Sequence, residues 1–102
     1  MALDRCAGAD FEQANAQLNQ RYRQIMARLQ AEPAQAQSLK MAQRAWLTFR
    51  DADCAFRSSG VAGGSLYPMV VTLCRTQMTR ARIQTFDSWL HCPEGDTGCP
   101  VH

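Results

Sequence analysis

The stretch that decides the fold is residues 43–56, QRAWLTFRDADCAF. Trp46 and Phe49 are three residues apart, and Phe49 and Phe56 are seven apart, so a helix of about 3.6 residues per turn returns all three rings to nearly the same side. Two earlier apolar residues extend this stripe: Leu39 and Ala42. The pattern predicts a helix over residues 34–57 whose aromatic stripe faces the core, with the other elements packed around it.

Charged residues within the same stretch need partners. Arg50 and Asp51 form a pair beside the aromatic stripe, and Asp53 lies on the stripe itself. An ionised carboxylate on a buried face is costly unless it is paired. We therefore expect an arginine of the following helix, Arg80 or Arg82, to bind Asp53.

The length and the cysteines indicate one small exported domain. A chain of 102 residues supports a single core of a few packed elements, and at that size stability is marginal without covalent help. Five cysteines lie at positions 6, 54, 74, 92 and 99, none in a C-x-x-C pair, and the chain has only two histidines. This pattern favours disulfides in an oxidising compartment over a cytosolic zinc module.

The N-terminal residues, the hydropathy and the charge argue against other classes. Residues 1–6, MALDRC, lack the apolar region of a signal peptide, so we expect that a leader was removed and replaced by a start methionine. No apolar run approaches the ~20 residues that cross a membrane. The formal charge is only +2, which is not the strong basic excess of a nucleic-acid-binding protein.

A first helix is predicted to begin at Asp4 or Asp10 and to end before Pro33. Asp10 followed by Gln13 resembles a capping box. The residue before a proline avoids the α region and proline suits a first helical turn, so Pro33 both ends this helix and starts the next. The predicted core stripe is Phe11, Ala14, Leu18, Tyr22, Ile25 and Leu29.

A glycine-rich loop and a third helix follow. Residues 58–65, SSGVAGGS, predict a flexible surface loop. Pro68 suits the first turn of a helix that ends before Cys92. The tail, residues 92–102, has no helical period and is predicted to pack on or beside a helical domain of residues 1–91. The predicted core residues of the third helix are Val70, Cys74, Met78, Ala81 and Trp89.

In an up-down-up bundle, the second and third helices meet at the loop, which brings Cys54 near Cys74. A bridge there would contribute ~3 kcal/mol in the chain-entropy model. Cys92 lies at the other pole, and its nearest partner along the chain is Cys99. Cys6 either has a partner upstream of this sequence or competes for Cys54 or Cys74, because spacing does not determine connectivity.

Two clusters of residues near the C-terminus are candidates for a metal site or a catalytic site. Four residues could ligate zinc: His91, Cys92, Cys99 and His102. Their spacing matches no common finger, and a disulfide-closed tail accounts for both cysteines. Three residues have the residue types of a catalytic triad: Asp87, Ser88 and His91. They are crowded at one helix end without an oxyanion loop, so we expect neither catalysis nor a metal or cofactor.

Arginines and surface hydroxyls are the remaining candidates for binding. Six arginines could form a basic patch but fall on several helix faces, which favours solvated surfaces and ion pairs over nucleic-acid binding: Arg21, Arg23, Arg28, Arg75, Arg80 and Arg82. The loop offers hydroxyls suited to insertion into a cleft on another protein: Ser58, Ser59, Ser65 and Tyr67. The alternative interpretation is that the loop only connects two helices.

Several segments together form a specific pattern: residues 18–22 (LNQRY), residues 42–56 with Q-R-A-W-x-x-[FY]-R-D-A-x-C, Gly63-Gly64-Ser65, Tyr67-Pro68-Met69, Cys74 and residues 79–82. Over roughly residues 6–92, the chain resembles the LprI-type lysozyme inhibitor domain family of bacterial envelope proteins. The resemblance implies an exported, helical, cysteine-containing protein that binds and inhibits lysozyme. The motif residues have structural roles in this interpretation: Trp46, Phe49, Arg50, Asp51, Phe56 and Arg82.

Charge gives no support to a lysozyme partner. The common animal lysozymes are strongly cationic, so an acidic partner would be steered to them, whereas this chain is mildly basic. A loop that enters the cleft could instead present Ser59, Ser65 and Tyr67 to the catalytic carboxylates.

The sequence therefore predicts an all-α fold: a small disulfide-stapled bundle of three main helices with a short C-terminal tail closed by cysteines. We expect a periplasmic or secreted protein that is not an enzyme and that binds, and inhibits, lysozyme. The alternative is an envelope structural or protein-binding module with another partner. A third hypothesis is a small-ligand carrier that uses a gap beside Trp46.

Overall fold

The computed structural model of the protein describes the backbone of residues 2–102 and the side chains of residues 5–102. It contains three long helices, α1 (Ala2–Arg28), α2 (Pro33–Arg57) and α3 (Tyr67–Leu90), and a short 3-10 helix at Ser59–Val61 that links α2 to α3. No strand occurs within residues 2–102. The predicted all-α bundle of three main helices is confirmed, with Met1 outside the described residues.

Helices α1 and α3 form the main packed pair. Far more of α3 lies against α1 than against α2. The core cluster contains residues of α1, α3 and the tail: Leu18, Ile25, Leu29, Ile83, Phe86, Leu90 and Val101. Burial of these apolar side chains stabilises the pair. The molecule is an elongated rod with principal extents of 50 × 22 × 20 Å.

The start of α1 differs from the prediction. Asp10 does not cap the helix, because α1 already begins at Ala2 and Asp10 lies well inside it and is exposed. Ala7 is buried, so the first turns have a packed face, and the alanines of this segment favour helix. The side chain of Asp4, the other predicted start, lies outside the described residues. The break at Glu32 and the start of α2 at Pro33 agree with the prediction.

The predicted orientation of α2 is wrong for two of its three aromatics. Phe49 and Phe56 are 57% and 76% exposed, whereas Gln43, Arg50 and Cys54 are buried. Each residue turns the helix by about 100°, so Phe49 points well away from its neighbour Arg50. The contacts of Arg50 and the disulfide of Cys54 select the inward face, and the aromatic stripe is left largely outside.

Other core predictions have mixed outcomes. In α1, Leu18, Ile25 and Leu29 are buried as predicted. Ala42 of α2 and Ala81 of α3 were expected in the core and are exposed. Trp46 and Trp89 are half-buried and pack against the core cluster. Apolar periodicity therefore located the packed face of α1 better than that of α2, where alanine and phenylalanine occur on more than one side.

Both predicted disulfides are present. Cys54–Cys74 joins the end of α2 to α3, with a Cα–Cα distance of 5.6 Å. Cys92–Cys99 closes the tail, with a Cα–Cα distance of 6.2 Å. Cys6 is unpaired and exposed.

Candidate functional site

Arg50 lies at the junction of the three helices. Its guanidinium carbon is 5.1 Å from the ring centroid of Phe11 in α1 and 5.5 Å from that of Trp46 in α2. Its Nη1 donates to Thr79 Oγ1 of α3 at 3.3 Å, and its Nε donates to Asp51 Oδ1 at 3.0 Å. The guanidinium thus joins two aromatic faces, a buried hydroxyl and a carboxylate, which favours a structural role for the Arg50–Asp51 pair.

Arg82 forms a second arginine centre, among aromatic rings. Its guanidinium carbon lies 4.8–5.5 Å from the ring centroids of Trp46, Phe86 and Trp89. Its Nε donates to Gln43 Oε1 at 3.2 Å. Burial lowers the pKa of Arg82, because desolvation disfavours the charged form. Stacking on the aromatic rings and the hydrogen bond to the Gln43 side chain connect α3 to the inward face of α2.

The carboxylates of α2 have partners other than those predicted. Asp53 pairs with Arg57 of its own helix at 2.8 Å, so the predicted pairing with Arg80 or Arg82 is wrong. An arginine one helical turn away reaches Asp53 without a contact between helices. Asp51 Oδ1 also lies 3.3 Å from Arg75 Nε, an ion pair between α2 and α3 that lacks hydrogen-bond geometry.

The connection between α2 and α3, residues 58–67, forms one end of the rod and is called the loop end below. Its backbone is a series of tight turns: Val61 N donates to Ser58 O, and Gly64 N donates to Val61 O, each at 3.0 Å. Gly63 has φ +82°, a conformation that favours glycine. The Cys54–Cys74 disulfide ties together the two helices that flank these turns. The loop end is therefore a folded turn structure held at its base.

The predicted partner-binding residues all lie on the loop end. Ser59 begins the 3-10 helix and is exposed, Ser65 is exposed in the next turn, and Tyr67 is the half-buried first residue of α3. Ser58 does not share this surface, because it is only 1% exposed and its hydroxyl has no hydrogen-bond partner. The expectation that Ser58 presents its hydroxyl outward is wrong.

Leu66 is a loop-end residue that the sequence reasoning missed. It is 52% exposed between Ser65 and Tyr67. In the sequence, a large apolar side chain in a segment of mostly small residues could have indicated this position. The loop end thus combines hydroxyls with one large exposed apolar side chain, a composition suited to a protein contact.

Two clefts lie at the end of the rod opposite the loop. An apolar cleft of about 240 Å³ is lined mainly by Leu29, Leu39, Trp89 and Val101. Trp46 does not line it, so the hypothesis of a ligand gap beside Trp46 finds no support there. A second, more polar cleft of about 630 Å³ includes Arg21, Arg28, Asp87 and His91 among its lining residues.

Polar groups of the second cleft are paired within the protein. Arg21 Nε donates to Asp87 Oδ1 at 2.7 Å, and Arg28 Nη1 donates to the carbonyl of Leu90 at 2.7 Å. His91 Nδ1 lies 2.8 Å from the backbone oxygen of Asp87 rather than from its carboxylate. Ser88 Oγ donates to the carbonyl of Thr85 at 2.6 Å. The side chains of Asp87, Ser88 and His91 therefore form hydrogen bonds with Arg21 and with backbone oxygens. Cys92 and Cys99 form a disulfide.

Comparison with known proteins identifies relatives of the chain. The family model described as lysozyme inhibitor LprI matches residues 1–86, which include α2 and the loop end. An uncharacterized protein of Rhizobium meliloti (strain 1021) is 37% identical over 93 residues, covering 80% of this chain and 67% of the relative. No solved structure matches the chain. No helix within residues 2–102 has both the length and the apolar composition needed to span a membrane.

Proposed function

Because this chain belongs to the LprI lysozyme inhibitor family, we propose that it is an exported bacterial protein that binds lysozyme and inhibits it through the loop end. Export is supported by the two disulfides, which persist in oxidising compartments. The family match is the observation that carries the proposed activity, and the loop end is the surface that we assign to it.

The shape of the loop end supports this assignment. It lies at the end of a narrow rod about 20 Å across, which is suited to entering a cleft on another protein. The turns and the Cys54–Cys74 disulfide fix the backbone before binding, so less conformational entropy is lost on association.

The chemistry of the loop end also fits a glycosidase cleft. Lysozyme uses two carboxyl groups in its cleft, and hydroxyls of Ser59 and Ser65 can donate to such groups while Leu66 contacts apolar parts of the cleft wall. The formal charge of +2 gives no attraction to a cationic lysozyme. Inhibition then depends on short-range contacts, and added salt should weaken it little.

The test is lysozyme activity on bacterial cell walls at rising concentrations of the oxidised protein, with a c-type and a g-type enzyme. We expect saturable inhibition of at least one class at near-stoichiometric amounts. Replacing Ser59, Ser65 and Tyr67 together by alanine should weaken inhibition at least about tenfold, since several contacts of about 1 kcal/mol each are lost.

A matched control removes hydroxyls elsewhere: Ser38→Ala with Ser88→Ala, two exposed positions outside the loop end. Full inhibition by the triple loop variant, with its fold verified by circular dichroism, would refute the loop assignment. If neither lysozyme class is inhibited, the activity itself is wrong for these targets. An envelope protein-binding module with another partner would then become the first hypothesis.

A further inference from the structure

The side of α2 that faces away from α1 and α3 is apolar and uncovered within the described residues. Phe49 and Phe56 are 57% and 76% exposed, and Met41 beside them is 62% exposed. Between these large side chains lie alanines, all exposed: Ala42, Ala45 and Ala52. We call Ala42, Ala45, Phe49, Ala52 and Phe56 the outer face of α2. A continuous apolar surface of this kind marks an interaction site more often than scattered apolar residues do.

The spacing of the outer face is that of a helix–helix seam. Its members are separated by three, four, three and four residues, an average of about 3.5, which is the period of coiled-coil contacts. None of the five is charged. Inside the molecule, α2 uses its opposite side, with Gln43, Arg50 and Cys54. The period therefore predicts a helix as the occupant of this face.

The alternation of large and small side chains indicates which helix fits. In a two-fold antiparallel pair, residue i contacts residue j of the second copy and j contacts i. A two-fold axis near residue 47 sets Phe49 against Ala45 of the second copy, and Phe56 against its Ser38. Each phenylalanine then packs on a small residue, so the large rings of the two copies do not clash. We propose that the outer face of α2 is the interface of an antiparallel homodimer.

Area and charge agree with this occupant. An aromatic side chain can bury about 200 Å², so the exposed parts of Phe49, Phe56 and Met41 offer roughly 400 Å² per copy. With the alanines, two copies bury about 1,000 Å², the lower limit of specific interfaces. The formal charge of +2 per copy causes little repulsion. The dimer is therefore weak and concentration-dependent.

The charges beside the seam argue against a membrane surface as the occupant. Helices that lie on anionic membranes have a predominantly basic polar face. The polar side of α2 instead carries both signs of charge: Lys40 and Arg44 are basic, Asp51 is acidic, and Asp53 pairs with Arg57.

Sedimentation velocity across rising protein concentration tests the proposal. All proteins carry Cys6→Ser, because exposed Cys6 could otherwise link two copies covalently. We expect a reversible monomer–dimer equilibrium. Phe49→Gln with Phe56→Gln should weaken association more than about tenfold, since two buried aromatic contacts are lost. The control is Leu73→Gln on α3, 44% exposed and outside the seam, which should leave association unchanged.

A second variant guards against effects on folding. Ala52→Glu adds a charge to the seam without removing any apolar group from the core, so it should abolish dimers and retain the thermal unfolding of the parent. Orientation is measured with a spin label at Gln37→Cys in the Cys6→Ser protein, an exposed position beside the seam. An antiparallel pair with its axis near residue 47 separates the two labels by about 30 Å along the helix axis, the rise of 20 residues, whereas an in-register parallel pair places them at the same height.

Two outcomes would overturn the proposal. The first is a monomer at every concentration, and the second is a dimer that survives both Phe49→Gln/Phe56→Gln and Ala52→Glu. If the protein is a monomer and its outer-face variants lose binding to lysozyme or to anionic vesicles, the face is assigned to that ligand. Dimerisation is measured without lysozyme, so its result is independent of the inhibitor assay.

Discussion

At the residue scale, two arginines connect the helices through aromatic rings. Arg50 and Arg82 both lie against Trp46, one contacting Phe11 of α1 and the other Phe86 of α3. A planar guanidinium can stack on a ring and still donate in its plane, as Arg82 does to Gln43. This geometry explains why the motif contains arginine at these positions beside tryptophan.

Arg82→Lys should therefore destabilise the protein although the charge is kept. The ammonium cannot stack on Trp46, Phe86 and Trp89, and we expect a loss of about 1–2 kcal/mol in the free energy of unfolding. Urea denaturation followed by tryptophan fluorescence measures it. The control is Arg80→Lys, an exposed position two residues away, which should change stability by less than about 0.5 kcal/mol. Equal effects of the two substitutions would contradict the stacking role.

At the element scale, α2 is held by a few specific contacts more than by a broad packed face. Helix α3 packs mainly on α1, whereas α2 contributes the inward residues Gln43, Arg50 and Cys54. The Cys54–Cys74 disulfide fixes the end of α2 next to the loop end. Covalent attachment compensates for a helix that leaves much of its apolar surface outside.

Cys54→Ser with Cys74→Ser should lower the free energy of unfolding by about 3 kcal/mol, because the unfolded chain regains the freedom of the closed loop. Cys92→Ser with Cys99→Ser removes the disulfide that closes a shorter loop and should cost about 2.5 kcal/mol in the same model. Only the first pair anchors the loop end, so it should also weaken lysozyme inhibition. Inhibition assays below each variant's melting temperature separate the two effects, and unchanged inhibition by Cys54→Ser/Cys74→Ser would contradict anchoring.

At the scale of the whole molecule, the tail completes the core at the end of the rod away from the loop. Val101 is 3% exposed and belongs to the core cluster with Leu29 and Leu90. Gln35 Nε2 of α2 donates to the carbonyl of Pro100 at 3.1 Å. The tail therefore bridges α1, α2 and α3 where α2 begins.

Val101→Ala should lower the free energy of unfolding by about 1–2 kcal/mol, through lost apolar contact and a small cavity. The neighbouring His102→Ala removes an exposed side chain and should have almost no effect. Thermal unfolding by circular dichroism compares them. If Val101→Ala left the free energy of unfolding unchanged, burial of Val101 would not stabilise the core.

The sequence by itself determined the three helices and the breaks between them, and it favoured the two disulfide pairs. Pro33 and Pro68 mark the starts of α2 and α3, the apolar period of α1 identified Leu18, Ile25 and Leu29, and cysteine positions at the helix ends indicated the pairing. The helices and their breaks depend on local backbone preference, so no tertiary contact is needed to infer them. The disulfide pairs also required the expected up-down-up arrangement of the helices.

Only the tertiary structure decided which side of α2 faces inward. The aromatic spacing favoured burial of Phe49 and Phe56, yet the bonds of Arg50 and the disulfide of Cys54 turn those rings outward. The outward rings form the apolar face that we propose as the homodimer interface. Periodicity reports that a helix has an apolar side, but contacts with other helices select the side that is buried when two are available.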